Sequence, residues 1–253
     1  MEIHVDLTPP PSESERTHSA APTDVVSVVV DVLRAGTITA HLLERGADAV
    51  ILTSSVRAAR QRAAADGALL VGDVGGVPPE GFNHAATNAS VRSIECAGRE
   101  VVLLADDAPR ALAGARRRCV LAGLVNAVAV VETVMAWEPA RVVLVCAGEH
   151  GEPDLADAIA AGLLVSLFER ASRAMGDVGP SVSGSTRFCL SVLRTTKDPL
   201  DGVWASSVGS DLRTVGLEEE VAAASEIATS DVVPLVESVD HAFGRPLVRL
   251  VRV

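Results

Sequence analysis

Apolar and polar positions fall into a strand–helix rhythm along most of the chain. Residues 3–7 (IHVDL) alternate and predict a short strand, and 8–23, rich in Pro, Ser and Thr, predict a loop. VVSVVVDV (25–32) is a nearly continuous β-branched run, the pattern of a strand buried on both faces. A helical stretch over 37–45 follows and closes at Gly46. AVILT (49–53) predicts the next strand, and Ser55 opens an Arg/Ala helix over 56–65. Strands are then expected at 68–72, 100–105, 118–123 and 141–148, with helices at 108–115, 127–136 and 155–175. Between 73 and 90 lies a loop rich in Gly and Pro. Alternation at this spacing predicts an α/β fold: a mainly parallel or mixed sheet with helices on both faces, in three layers.

The rhythm breaks at 176–186 (GDVGPSVSGST), which reads as a surface loop or the boundary of a sub-lobe. Beyond it, 187–197 and 217–229 look helical and 231–236 (DVVPLV) looks like a strand. PLVRLVRV (246–253) alternates as an edge strand does. These late strands need a sheet to join, so the expectation is a single domain over 1–253.

Composition narrows the function classes. The net charge is -11, and the only aromatic residues are 4 Phe and 2 Trp. That is not the basic, stacking surface a nucleic-acid binder needs. No apolar run reaches the ~18 residues of a membrane span, and the start of the chain does not read as a signal peptide, so a cytoplasmic protein is expected. The four cysteines, Cys96, Cys119, Cys146 and Cys189, form no CxxC pair and read as buried small hydrophobes.

In open α/β sheets, ligands bind beyond the carboxyl ends of the strands. The polar residues just after each expected strand are therefore the candidates. They are Asp31 and Arg34; Asp73 with Gly72, Gly75 and Gly76; Asp106, Asp107 and Arg110; Asn126; and Glu149, His150, Glu152, Asp154 and Asp157. Acids with a few arginines suit Mg²⁺ and an oxyanion. The competing reading is structural: Asp154 as a helix cap, Asp157 as a first-turn dipole partner, His150 as a surface residue. Asp31, closing an apolar strand, is expected to be buried near Arg34. GxxxxGK[ST], GxGxxG, GxSxG and HExxH are all missing from the sequence, and the single lysine, Lys197, lies far from any Gly-rich loop.

Read in order, VVVDVLRAGTI (28–38), GDVGG (72–76), EGF (80–82), LAGLVNAVAVVE (121–132), LVCAGEHG (144–151), DLADAIAAG (154–162), VGLEEEV (215–221) and DVVP (231–234) resemble the 2-phosphosulfolactate phosphatase (ComB) family. The resemblance spans nearly the whole chain. It implies an α/β fold of its own type, a homodimer, and Mg²⁺-dependent hydrolysis of 2-phosphosulfolactate to sulfolactate and phosphate on the route to coenzyme M. It implies catalytic roles for Asp31, Arg34, Asp73, Arg110 and Asp157, with Asp31, Asp73 and Asp157 as metal candidates. It also implies substrate contacts from Gly75, Gly76, Asn88, Ser90, Asn126 and Glu149.

The chain departs from that pattern most at 104–110, where a Thr-rich TTTNGTR turn is replaced by LADDAPR. Two carboxylates stand where neutral donors are expected, and Pro109 removes an N–H. A late SxGR segment has become VGSD (208–211), losing an arginine. Two readings follow. In one, the chain is a working Mg²⁺-dependent phosphatase acting on a small anionic substrate. In the other, it is a divergent member without that activity, binding a small ligand or acting on something else.

Overall fold

The structure, a computed structural model, describes residues 1–10, 24–115, 118–176 and 178–253. Most of the expected loop 8–23 lies outside the described residues. The β-branched and aliphatic runs become strands as anticipated: β1 (Glu2–Asp6), β2 (Val25–Val30), β3 (Ala49–Thr53), β4 (Leu69–Val71), β5 (Glu100–Leu104), β6 (Arg118–Ala122) and β7 (Arg141–Cys146). Every residue of β2 and β3 is buried, as continuous apolar runs require. The helices between them are α1 (Thr37–Glu44), α2 (Val56–Asp66), α3 (Asn88–Ser93), α4 (Ala108–Ala113), α5 (Ala127–Ala136) and α6 (Leu155–Ala174).

The segment read as a break holds a two-residue strand, β8 (Ser181–Val182), paired with β1. After it come α7 (Gly184–Thr195), α8 (Pro199–Trp204), α9 (Ser207–Thr214) and α10 (Glu218–Ala224), then a hairpin of β9 (Pro234–Ala242) and β10 (Arg245–Arg252). Two short helices, α8 and α9, were not foreseen. Each carries too few apolar positions to show a period, and side-chain caps from Asp198 and Ser206 start them instead.

All ten strands share one sheet, in the order β4-β5-β3-β10-β9-β6-β2-β7-β1-β8. The expected α/β architecture with a mixed sheet is present. β4, β5 and β3 form one parallel run and β6, β2, β7, β1 and β8 another. The antiparallel hairpin β9–β10 joins them, pairing with β6 on one side and β3 on the other.

β10 is therefore an interior strand, not the edge strand its alternation predicts. One face sends Val248 and Leu250 into the core. On the other, the Arg249 guanidinium bonds Glu100 at 3.0 Å and also pairs with Glu237. Paired charges let a polar row sit in mid-sheet.

Successive residues of β2 serve different cores. Val28 and Val30 pack with α5 and α6, while Val29 packs with Ile38 and Leu42 of α1, Leu112 of α4 and Leu52 of β3. α2 covers the far face of β3–β5–β4 through Ala59 and Ala63. The four cysteines are free and buried. Among the described residues, no helix is long and apolar enough to cross a membrane.

Candidate functional site

The end of β2 sets the site. Asp31 leaves the strand still extended and caps the tight turn Val32–Gly36, its Oδ1 accepting the Ala35 N–H at 2.9 Å. Its carbonyl accepts the Gly36 N–H at 3.0 Å. Only glycine fits there, since a Cβ on Gly36 would lie 2.3 Å from the Asp31 carbonyl oxygen and 2.8 Å from that of Ala122. The turn is thus seated backbone to backbone against β6.

Asp157, in the first turn of α6, fastens this turn to the next loop. Its Oδ1 accepts the Val32 N–H at 2.9 Å and its Oδ2 the Gly148 N–H at 3.0 Å. Asp154 caps the same helix through Ala156 N–H, as the capping reading anticipates, but its Oδ2 is buried without a hydrogen-bond partner.

Arg34 projects from the turn to the loop after β4. It donates to the Ala86 carbonyl at 2.8 Å and to Asp73 Oδ2 at 2.9 Å. Asp73 Oδ2 also accepts the Gly76 N–H at 3.2 Å, and its Oδ1 is buried with no partner. Behind this wall lies a second polar cluster. Glu220 of α10, only 3% exposed, accepts both the main-chain and side-chain N–H of Asn88, and Asn88 Oδ1 lies 2.9 Å from His41 Nδ1.

These elements enclose a cavity of about 150 Å³. It is lined by the polar residues Asp31, Arg34, Asp73, Asp106, Asp107, Glu149 and His150 and by apolar ones, among them Leu33, Ile38, Leu103, Leu104, Val208 and Leu212. Asp107 Oδ2 accepts the His150 N–H at 3.1 Å and so ties two rim loops together. Burial pushes the Asp31 carboxyl up to about 7, and the nearby charges of Asp107 and Asp154 add to the shift. Burial also raises Asp157 well above the usual carboxylate range, reinforced by Asp31 and Asp154 and opposed by its two N–H bonds.

Residues 12–238 match the family model described as 2-phosphosulpholactate phosphatase. The chain belongs to the 2-phosphosulpholactate phosphatase family. A protein of Deinococcus radiodurans named "Probable 2-phosphosulfolactate phosphatase" is 33% identical over 92% of both chains. One of the same name from Thermus thermophilus is 33% identical over 93% of this chain and 94% of its own. A third, from Thermotoga maritima, is 29% identical over 68% of this chain and 73% of its own.

Within this member of the 2-phosphosulpholactate phosphatase family, the expected site residues divide into two groups. Asp31, Arg34, Asp73 and Glu149 line the cavity. Asp157 stands behind it as the clamp just described. Asn126 is fully buried elsewhere, holding Gly123 N–H and the Leu121 and Val232 carbonyls. Asn88 belongs to the Glu220 cluster, and Ser90 lies in the first turn of α3, its N–H on the capping Thr87 hydroxyl. Gly75 and Gly76 form the tip of the β4 loop with positive φ of 59° and 82°. Arg110 is half exposed, its guanidinium 3.7 Å from Asp107 and off the cavity wall. Asp31 is buried as expected, but its partners are main-chain N–H groups; Arg34 bonds Asp73 instead.

The residues sequence reasoning missed are Glu220, His41, Val208 and Leu212. Glu220 was visible only as one of three consecutive glutamates. The usable signal was its place one residue before Val221, on the face of α10 that turns inward.

A Mg²⁺ ion asks for one or two carboxylates, with water and phosphate oxygens completing its shell. Asp31 and Asp107 on one cavity wall fit that demand. Asp157 has both oxygens committed to N–H groups, whereas Asp73 has one oxygen on Arg34 and Gly76 and the other without a partner. Among the described residues, no group of three or more His, Cys, Asp or Glu side chains is arranged to hold a metal by itself.

Proposed function

We propose that this chain is a Mg²⁺-dependent phosphatase that hydrolyses the phosphate ester of a small 2-hydroxy acid, 2-phosphosulfolactate or a close relative, to the hydroxy acid and phosphate. The observation that carries the reading is one cavity lined by Asp31 and Arg34 of the family's DVLRA turn together with Asp107.

Asp31 and Asp107 would hold the metal, which when bound supplies positive charge to the phosphoryl oxygens. Asp73 and the Ala86 carbonyl fix one edge of the Arg34 guanidinium, leaving its other N–H groups to fork onto the phosphoryl group. Hydrolysis breaks the bond between phosphorus and the ester oxygen, the water oxygen forms the new P–O bond as the water gives up one proton, and the leaving alkoxide oxygen takes up one proton, so the products are the hydroxy acid and phosphate. His150 is the imidazole on the cavity wall, placed to hand over that proton. Asp157 holds the Arg34 turn and the His150 loop in register through Val32 and Gly148. Asp157 would therefore serve as a positioning residue, while Asp73 Oδ1, buried without a partner, stays open to the metal.

The test is phosphate release from 2-phosphosulfolactate and related 2-phospho acids, in EDTA and with Mg²⁺ restored. Turnover that needs Mg²⁺ is expected; no turnover on any of them refutes the reading. One observation favours a second reading, a member without phosphatase activity. The amides of Gly148, Glu149 and His150 that face the cavity rim are already bonded to Asp157, Glu152 and Asp107, and none is left for phosphate. Phosphatase activity that appears only after a Thr/Asn/Gly turn replaces 104–109 would establish that alternative.

A further inference from the structure

Glu220 is a buried carboxylate that the chemistry above does not use. It is buried on the inward face of α10, while its neighbours Glu218 and Glu219 are exposed. Among the described residues its hydrogen bonds all come from Asn88, and no ion pair joins it to a cation. The Asn88 main-chain N–H reaches Oε1 at 2.9 Å and Oε2 at 2.8 Å, and Nδ2 reaches Oε2 at 2.8 Å. An ionised group held this way weighs against folding. Burial pushes the Glu220 carboxyl up and Asp73 adds to the rise, while the Asn88 N–H groups and the charge of Arg34 oppose it. A neutral side chain would fill the same space more favourably, so the carboxylate calls for a role beyond packing.

That role lies one step away, at Arg34. Asn88 opens α3, and Ala86, just before it, supplies the carbonyl that accepts from Arg34 Nη1 at 2.8 Å. The backbone of 86–88 is held from both sides. Glu220 grips the Asn88 N–H, and the Thr87 hydroxyl accepts the Ser90 N–H at 3.2 Å. Both ends of the Asn88 amide are committed, Nδ2 to Glu220 and Oδ1 to His41 of α1, the helix that continues the Arg34 turn. α10 packs on that turn as well as on α3. The charges acting on Glu220 are those of Arg34 and Asp73, which sets the carboxylate behind their pair.

We propose that Glu220 is a positioning residue for the hydrolysis: it pins the 86–88 backbone so that the Ala86 carbonyl holds the Arg34 guanidinium at the cavity, and its negative charge stands behind that guanidinium. The inference rests on the phosphatase reading above and supplies the support of its oxyanion-binding group. Glu220 lies off the cavity lining and acts through Arg34.

The experiment is a double-mutant cycle. With saturating Mg²⁺ and the best of the 2-phospho acids as substrate, kcat/KM and Tm are measured for the wild type, Glu220→Gln, Arg34→Lys and the double variant. Glu220→Gln should lower kcat/KM about tenfold, the scale of a small misplacement of a binding group, without a comparable fall in Tm. In the Arg34→Lys background, where the fork held by Ala86 is gone, the same change should lower kcat/KM less than about twofold. A residue that only supports the fold gives losses that multiply in the double variant. Should Glu220→Gln fail to fold, Glu220→Asp, which keeps the charge and draws it back from the Asn88 N–H by one methylene, enters the same cycle with the same expected pattern. Losses that multiply, or a folded Glu220→Gln with wild-type kcat/KM, overturn the inference and leave the phosphatase reading intact. No turnover of any 2-phospho acid by the wild type overturns that reading, and the inference with it.

Discussion

Replacing Asp31 by Asn should stabilise the protein, and by an amount that depends on pH. Asn is nearly the same shape and keeps an oxygen to accept the Ala35 N–H, so the change isolates the charge. The folded-state value of Asp31 is raised from 3.8 to about 7, first by burial and then by Asp107 and Asp154. A carboxyl raised on folding binds its proton more tightly in the folded chain than in the unfolded one. Its contribution is fully present below about pH 4 and is lost as pH rises to about 7. The difference of about three units corresponds to about 4 kcal/mol, at about 1.4 kcal/mol per unit. Coupling to Asp157 makes that an upper bound. In EDTA, the wild type and Asp31→Asn should therefore melt closest together near pH 4. By pH 8 the variant should have gained on the order of 10 °C over the wild type, at roughly 2–4 °C per kcal/mol for a chain of this size. Thermal melts of both proteins at pH 4, 6 and 8 decide it. A melting-temperature difference that is constant across those pH values would refute the claim that Asp31 carries a buried, unfavourable charge.

Asp157→Asn should destabilise the fold by about 1–3 kcal/mol in urea titration, because its new NH₂ must face an N–H of Val32 or Gly148 that now loses its acceptor. Arg34→Lys should keep the charge but lose the fork that bonds Asp73 and Ala86 together, lowering kcat/KM on any substrate at least about tenfold with little change in Tm. Gly36→Ala should abolish activity and lower stability by at least about 2 kcal/mol, since its Cβ collides with two main-chain oxygens; a variant with normal Tm and activity would refute the backbone contact between the turn and β6.

β2 and β3 were legible because each is short, apolar and buried on both faces, so they needed no tertiary information. Site chemistry was legible as far as the rim rule reaches. Asp31, Arg34 and Asp73 are far apart in sequence yet follow strand ends, and they do meet. What a strand-end rule does not carry is which acid bonds which base. Asp31 sits three residues from Arg34, but the turn points the guanidinium away toward Asp73. Nor does it separate an acid that faces solvent from one that faces backbone: Asp154 and Asp157 look alike in sequence, and only the fold sets both oxygens of Asp157 on N–H groups. β10 shows the same limit. Its alternation reports one core-facing row correctly, but whether the polar row meets water or Glu100 and Glu237 depends on strands some 150 residues earlier and 12 earlier, respectively.

The position of the β9–β10 hairpin bears on how the molecule can be made. β3 and β6 are synthesised early, yet each takes its neighbour from residues 234–252. Ile51 waits for Arg249 before its strand has a partner on that side. During vectorial synthesis two parallel half-sheets can form, each with an apolar strand exposed at its inner border, and neither is closed until the hairpin arrives. Closure therefore comes late and over long sequence distance, which slows folding and leaves the nascent chain dependent on protection from its own unpaired strands. A stop codon or frameshift a few residues upstream of the hairpin would leave the whole cavity wall encoded and still expose both borders.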